Sequence, residues 1–328
     1  TAGEAGACCA PSAPRIPTKS SANTRTLLVA QQAAERDIPK ASINAPATAA
    51  NDDLTRAAGK NFTALRAAHL ADYQRYFDRV SLRLGSTDAT TAALATPARL
   101  AALQAGSADP GLAALFFDFG RYLLISSSRP GGFPANLQGL WAEEIQAPWN
   151  ADWHLNVNLQ MNYWPALVCN LPELQEPLNK LIASLVEPGS KTAKEYYNSR
   201  GWVAHMMTNP WGFTAPGESA VWGASSGSAW LCGHLWDQYA FTLDREHLKW
   251  AYPIMKGSAE FYLDNLWEDP KSKWLVTGPS NSPENAFKLA NRVKAHVCMG
   301  PTMDMQQLRE LFGNTAQTAE ILGVDGEF

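Results

Sequence analysis

The sequence predicts an all-α fold in which helices pack in pairs and are joined by long loops. From about residue 51 onward, apolar residues recur at steps of three and four, which is the period of amphipathic helices. Segments rich in Pro, Gly and aromatic residues separate these helical stretches. Residues 1–50 are instead rich in Ala, Pro, Ser and Thr and have weak periodicity. We therefore expect an irregular segment over 1–50, a linker or the remnant of a preceding domain, and a helical domain over 51–328.

The first predicted helical region shows the pattern most clearly. Residues 51–79 carry a stripe of apolar side chains at helical spacing, and Pro97 and Pro110 each stand where proline is tolerated, at the start of a helix. The later helices are predicted over 172–186, 192–198, 228–242, 246–266 and 302–322.

Three long segments interrupt the helices, at 126–150, 201–223 and 274–287. Loops of such length inside a compact domain are usually functional or disordered. In 126–150, the two tryptophans and the sequence Asn136-Leu137-Gln138 argue against disorder. Helical hairpins arranged in a toroid present loops of this kind at one end. We expect the three loops to meet there.

The stretch DWHLNVNLQMNYW, residues 152–164, places polar side chains at every second position: His154, Asn156, Asn158 and Gln160. Residues two apart share a face on an extended segment and not on a helix. We therefore expect a short extended run that presents one imidazole and three amides together. Amides cannot act as a general base at neutral pH, but they orient hydroxyl groups and water. A carboxylate would have to come from elsewhere.

Glu284 stands in the loop SNSPENAF and is the candidate for acid catalysis. A carboxyl group in a loop is more often a solvated or capping residue. A protonated carboxyl group is nevertheless what a glycosidase needs to protonate the leaving oxygen. Pro283 restricts the backbone before Glu284, and Asn285 can donate a hydrogen bond to a neighbour.

Composition excludes several other classes of function. The net charge is −4 and no basic cluster is present, so nucleic acid is not an expected partner. No apolar run approaches the roughly 18 residues that span a membrane. The five cysteines lack C-x-x-C spacing, no second ligand stands near His154, and His205 could be a core residue or a sugar contact. We expect no metal and no cofactor.

Several blocks together resemble the α-L-fucosidases of glycoside hydrolase family 95. The longest is FDFGRYLLISSSRPGGFPANLQGLWAEEIQAPWNADWHLNVNLQMNYWPALVCNLPELQEPL, and GWVAH, NPWGFTAPG, SAWLCGHLWDQY, AYPIMKGSAEFYLDN and WLVTGPSNSPEN follow in the family's order. The likeness runs from about residue 60 to residue 328. It implies an (α/α)6 toroid of the six-hairpin glycosidase type, here incomplete, because about eight helices are predicted where twelve form the barrel.

The resemblance also implies a reaction and its residues. The family's enzymes hydrolyse terminal α-1,2-linked L-fucose with inversion, so the expected partner is a fucosylated oligosaccharide or glycan, and the expected location is secreted, periplasmic or extracellular. Glu284 matches the general acid, and Asn156 and Asn158 match the pair that holds an Asp base. The expected substrate-binding residues are His154, His205, Trp202, Trp211 and Asn285.

Two departures from the family pattern keep alternatives open. The base Asp lies well beyond the S-P-E-N loop in the family, whereas Asp325 falls in a different place, so we expect this chain to hold the acid half of the site without the base. A sugar-binding or decayed, non-catalytic fragment is the alternative. Secondly, residues 205–210 read HMMTNP where many relatives read HHNTD or similar. An α-L-galactosidase acting by the same mechanism is therefore a further alternative.

Overall fold

The computed structural model describes residues 45–217, 219, 221 and 226–328. The chain divides into two compact units, Thr1–Ala71 and Asp72–Phe328. Helix α1, Ala45–Ala58, belongs to the first unit and begins six residues before the predicted start of the helical region at residue 51. The expected irregular segment otherwise lies outside the described residues.

The described chain is predominantly helical, which confirms the all-α prediction. After α1, helix α2 spans Phe62–Phe77. The remaining α-helices are α3 (Ala89–Ala92), α4 (Thr96–Gln104), α5 (Pro110–Ser127), α6 (Asn158–Val168), α7 (Glu176–Ser184), α8 (Val186–Tyr197), α9 (Gly227–Thr242), α10 (Arg245–Asp264) and α11 (Thr302–Leu322). Short 3-10 turns occur at Pro148–Ala151 and Pro172–Gln175.

The core of the second unit forms where α9, α10 and α11 pack against one another, and α6 and α7 pack onto α9. Leu235 of α9, Met255 of α10 and Leu311 of α11 are buried in the same apolar cluster. Burial of such side chains contributes about 1.5–3 kcal/mol each. The described helices of this unit form packed pairs without closing a ring, in agreement with the expected incomplete toroid.

The strands among the described residues are short and pair antiparallel. β1 (Trp153–His154) pairs with β2 (Met207–Thr208), and β3 (Leu266–Glu268) pairs with β4 (Leu275–Thr277). The other four strands form two further pairs, β5 (Ser280–Asn281) with β8 (Val297–Cys298) and β6 (Phe287–Lys288) with β7 (Lys294–Ala295). The segment predicted as a loop over 274–287 therefore contains strands that brace it.

The predicted extended run over 152–164 is wrong beyond its first residues. Only Trp153 and His154 are in a strand, a turn follows, and α6 begins at Asn158. Within α6, Leu159, Tyr163 and Ala166 are buried at steps of four and three, which is the spacing of one helix face. Packing of this apolar face overrides the alternating polar pattern.

Candidate active site

One cavity of about 740 Å³ collects side chains from all three of the predicted loops. This confirms the expectation that the loops meet. The residues that line it are Leu137, Gln138, Trp149, Asn150, Asp152, His154, Asn156, Val157, Asn158, Met206, Met207, Trp230, Ser282, Pro283, Glu284, Asn285 and Met303.

Backbone hydrogen bonds to the segment around β2 hold the segment that contains Asn156 and Asn158. His154 pairs with Met207 between β1 and β2, and the Leu155 amide donates to the Met206 carbonyl at 2.6 Å. His154, Asn156 and Asn158 consequently line the cavity although they do not share one extended strand. Asn156 Oδ1 is buried and accepts no hydrogen bond within the described part of the chain, which leaves an acceptor for a hydroxyl group or water.

Gln160 does not belong to this polar set. Its side chain is fully buried, and its Nε2 donates to the Leu155 carbonyl at 2.6 Å. The amide thus closes the turn that precedes α6, and the sequence pattern assigned Gln160 to the wrong face because the chain becomes helical at Asn158.

Glu284 occupies a strained position in a tight turn. The Asn285 amide donates to the Ser282 carbonyl at 3.0 Å, Pro283 is the second residue, and Glu284 has φ of 62°. Proline second and a positive φ third define a type II turn, whose third position favours Gly or Asn. A non-glycine residue there costs about 1–2 kcal/mol, and such strain concentrates at functional sites.

Two hydrogen bonds to one carbonyl hold the Glu284 turn against a neighbouring segment. The backbone amide of Glu284 and Nδ2 of Asn281 each donate to the Val221 carbonyl at 2.8 Å. Asn281 is buried in β5. The side chain of Asn285, which also lines the cavity, donates to Ser282 Oγ at 2.8 Å and so stabilises the turn itself.

Partial burial favours the neutral form of His154 at the wall of the cavity. Partial burial lowers the pKa of its imidazole, and the nearby Asp152 carboxylate opposes that shift. A neutral imidazole carries one donor and one acceptor, which suits a hydroxyl-bearing ligand. Asp152 is, with Glu284, one of two carboxyl groups that the described residues contribute to the cavity lining.

Three consecutive residues beside the cavity have left-handed backbone conformations. Trp149, Asn150 and Ala151 have φ of 50°, 58° and 53°. The turn projects Trp149, whose side chain stays 73% exposed while it lines the cavity. Sequence reasoning did not single out Trp149, although an exposed aromatic residue in a Pro-rich loop beside a polar cluster is the signal that could have found it.

Three of the expected substrate-binding residues lie away from the cavity lining. Trp202 is fully buried and its Nε1 donates to the Ile254 carbonyl at 2.8 Å, so it is a core residue. The segment GWVAH still contributes to the cavity through its continuation, because Met206 and Met207 line it. Trp211 is exposed, and its backbone amide donates to Asn209 Oδ1.

His205 is likewise a structural residue. Its Nδ1 lies 2.6 Å from the Thr214 carbonyl and must donate, so Nε2 accepts from the Tyr197 hydroxyl, also at 2.6 Å. Burial lowers the pKa of His205 to about 4. Both ring nitrogens are therefore satisfied inside the protein, which corrects the expectation of a sugar contact.

The described residues contain no cluster of three or more His, Cys, Asp or Glu side chains that could hold a metal ion. Within that same part of the chain, no helix is both long enough and apolar enough to cross a membrane. The free cysteines of the described ranges are Cys169 and Cys232, both buried, and the half-buried Cys298.

The packed helices support a cavity that is built from loops and contains an acid side chain, paired amides and an exposed tryptophan. Helical glycoside hydrolases have sites of this kind. Residues 61–328 match the glycosyl hydrolase family 95 catalytic domain, and the chain belongs to that family.

Two relatives show the same kinship. The chain is 45% identical over 269 residues to "Alpha-L-fucosidase 2" of Arabidopsis thaliana, covering 80% of this chain and 32% of that protein. It is 40% identical over 273 residues to "Probable alpha-fucosidase A" of Aspergillus niger, covering 80% of this chain and 33% of the relative. The chain thus spans about a third of the length of either relative.

Proposed function

We propose that this chain carries the proton-donating half of an α-L-fucosidase site that removes terminal α-1,2-linked L-fucose from oligosaccharides with inversion. The observation that carries the proposal is that Glu284, His154, Asn156 and Asn158 line one cavity. The two relatives named as fucosidases support the substrate class.

Glu284 is the general acid in this scheme. Its carboxyl proton passes to the glycosidic oxygen as the bond between that oxygen and C1 of fucose breaks, and the aglycone leaves as an alcohol. Water attacks C1 from the opposite face and gives the β anomer. The strained turn around Glu284 has a function under this scheme, because it holds the carboxyl group at the cavity wall.

The amides of Asn156 and Asn158 orient the attacking water and the carboxylate that accepts its proton. Inverting glycosidases keep their two carboxyl groups about 6.5–9.5 Å apart to admit that water. We assign the accepting carboxylate to a segment outside the 328 residues, as the family resemblance implies. The buried, unpaired Asn156 Oδ1 supports the water-orienting role, since an acceptor needs a donor.

Asp152 is the other carboxyl group among the described cavity residues, so it is the alternative candidate for the general base. It stands beside His154 and opposes the lowering of the pKa of that imidazole. We assign Asp152 to holding His154 rather than to activating water. Asp152→Asn should therefore retain far more activity than Glu284→Gln. Loss of all turnover in Asp152→Asn would place the base within these residues and contradict our assignment.

We expect Met206 and Met207 to favour L-fucose over L-galactose. Both line the cavity, and L-galactose differs from L-fucose by a hydroxyl group on C6. A thioether is an apolar and adaptable neighbour for the C6 methyl group and only a weak acceptor for a hydroxyl group. An apolar pocket rejects an added hydroxyl group weakly, so we expect a preference on the order of 10–100-fold.

The test uses the protein expressed from the complete coding sequence and an α-1,2-fucosylated oligosaccharide. Proton NMR should detect β-L-fucose before its anomers equilibrate, and Glu284→Gln should lower turnover by about 10²–10⁴-fold. Glu310→Gln, an exposed glutamate of α11, is the matched control and should leave turnover unchanged. Binding of fucose without release would favour the non-catalytic alternative, and α-L-fucose as the first product would exclude inversion.

A further inference from the structure

A buried acidic residue outside the cavity contacts the segment that leads into the Glu284 turn. Asp304 is in the first turn of α11, and its side chain has no exposed surface. It is not among the residues that line the cavity, although its neighbour Met303 is. A fully buried carboxylate is costly to the fold unless hydrogen bonds compensate it.

The hydroxyl groups around Asp304 come from two other segments of the site. Thr277 Oγ1, at the end of β4, donates to Asp304 Oδ2 at 2.8 Å. Ser280, at the start of β5, and Ser226, directly before α9, are also buried and oppose the rise that burial causes in the pKa of Asp304. Ser226 Oγ, Ser280 Oγ and Asp304 Oδ1 are all buried and have no other hydrogen-bond partner among the described residues.

Both serines belong to segments that contribute residues to the cavity. Ser280 precedes Glu284 by four residues and is followed by Asn281, which shares the Val221 carbonyl with the Glu284 amide. The start of α9 contributes Trp230 to the cavity. From the first turn of α11, one buried carboxyl group therefore faces the strand that leads into the Glu284 turn and the residue directly before α9.

We propose that Asp304 is a positioning residue for the proton donor. Through its contacts with Thr277 and Ser280, Asp304 sets the position and orientation of the Glu284 turn. It does not touch the sugar. The inference rests on the proposed function, since it assigns Asp304 to the same proton transfer. A positioning role predicts a loss confined to the acid step, whereas a general structural role predicts an equal loss on every substrate.

The experiment measures kcat/KM on two substrates with the protein from the complete coding sequence. One is the α-1,2-fucosylated oligosaccharide, whose leaving alcohol needs protonation, and the other is an activated aryl α-L-fucoside, which does not. Asp304→Asn and Thr277→Val should each lose at least about 10-fold more on the oligosaccharide than on the aryl fucoside. Thr277→Val keeps the side-chain shape, so it decides the matter should Asp304→Asn fail to fold.

A double variant separates the two roles further. With Glu284→Gln in place there is no proton donor left to position, so adding Thr277→Val should cause no further loss on the oligosaccharide. Equal losses on both substrates, or additive losses in the double variant, would overturn the inference while leaving the proposed function intact. A wild-type protein that releases no fucose from either substrate would instead overturn the proposed function.

Discussion

The turn that contains Glu284 predicts that glycine is more stable than alanine at this position, the opposite of the order in a helix interior. With φ of 62°, Glu284 is in the left-handed region, which costs a residue with a Cβ atom about 1–2 kcal/mol. Glycine has no such penalty, but it loses about 0.5–1 kcal/mol through the extra freedom of its unfolded chain. Glu284→Gly should therefore be more stable than Glu284→Ala by about 0.5–1 kcal/mol.

The comparison of glycine with alanine isolates the backbone, because both variants remove the same carboxyl group. Urea unfolding followed by circular dichroism measures the difference as a shift of the midpoint at constant slope. Glu310, an exposed residue inside α11, is the matched control. There Glu310→Gly should be less stable than Glu310→Ala by about 1 kcal/mol, as in any helix interior.

For the reasoning to hold, the difference in stability between the glycine and alanine variants must have opposite signs at Glu284 and at Glu310. If Glu284→Ala equals or exceeds Glu284→Gly in stability, the turn is not left-handed at this residue. Both Glu284 variants should also lose turnover on the oligosaccharide, so that the more stable glycine variant is no more active. That combination would show backbone strain retained for the sake of the side chain.

Three further predictions concern the packing and hydrogen bonds of buried residues that support the site. Gly201→Ala should destabilise the fold by about 3 kcal/mol or more by thermal unfolding, because a Cβ at φ of +65° would clash with the Gly257 carbonyl oxygen. The pKa of His205 is lowered to about 4 from an ordinary 6.5, so the unfolded chain binds the proton first and stability falls as pH falls from about 7 toward 4. His205→Gln should remove about 2 kcal/mol of that loss between pH 7.5 and 5, measured by urea midpoints at both pH values. Tyr163→Phe should cost about 1–3 kcal/mol in the same assay, because the Ala135 amide donates to the buried Tyr163 hydroxyl at 3.0 Å.

Controls for two of these substitutions are available in the same chain. Gly313→Ala, inside α11 with open space at its Cβ, should stabilise by up to about 1 kcal/mol. Tyr196→Phe removes a hydroxyl group from a tyrosine that is 60% exposed and should change little. A neutral Gly201→Ala, a costless Tyr163→Phe, or an unchanged pH slope in His205→Gln would each contradict the packing described around that residue.

The helices could be predicted because apolar spacing is a local property of the sequence, whereas the meeting of the loops was expected from the architecture of helical hairpins in a toroid. Apolar spacing predicts α5, α10 and α11, and Pro- and Gly-rich composition predicts the segments between helices. The start of α6 could not be predicted this way. Alternating polar residues favoured a strand, whereas the chain becomes helical at Asn158 and buries Leu159, Tyr163 and Ala166 on one helix face in the core.

The structure brings some of the expected site residues to the cavity and places others in the core. Glu284, Asn285, His154, Asn156 and Asn158 line the cavity, as expected. Trp202 and His205 belong to equally recognisable blocks but are buried, and a motif does not distinguish a core residue from a contact. Asp304 could not be found from its position in a helix, since its partners are distant in sequence.

The most direct test of the central claim is the leaving-group dependence of Glu284→Gln. In the protein from the complete coding sequence, kcat/KM on the α-1,2-fucosylated oligosaccharide should fall by about 10²–10⁴-fold relative to wild type. On an activated aryl α-L-fucoside the fall should be far smaller, because the leaving group departs without a proton. Equal falls on the two substrates would contradict the assignment of Glu284 as the proton donor.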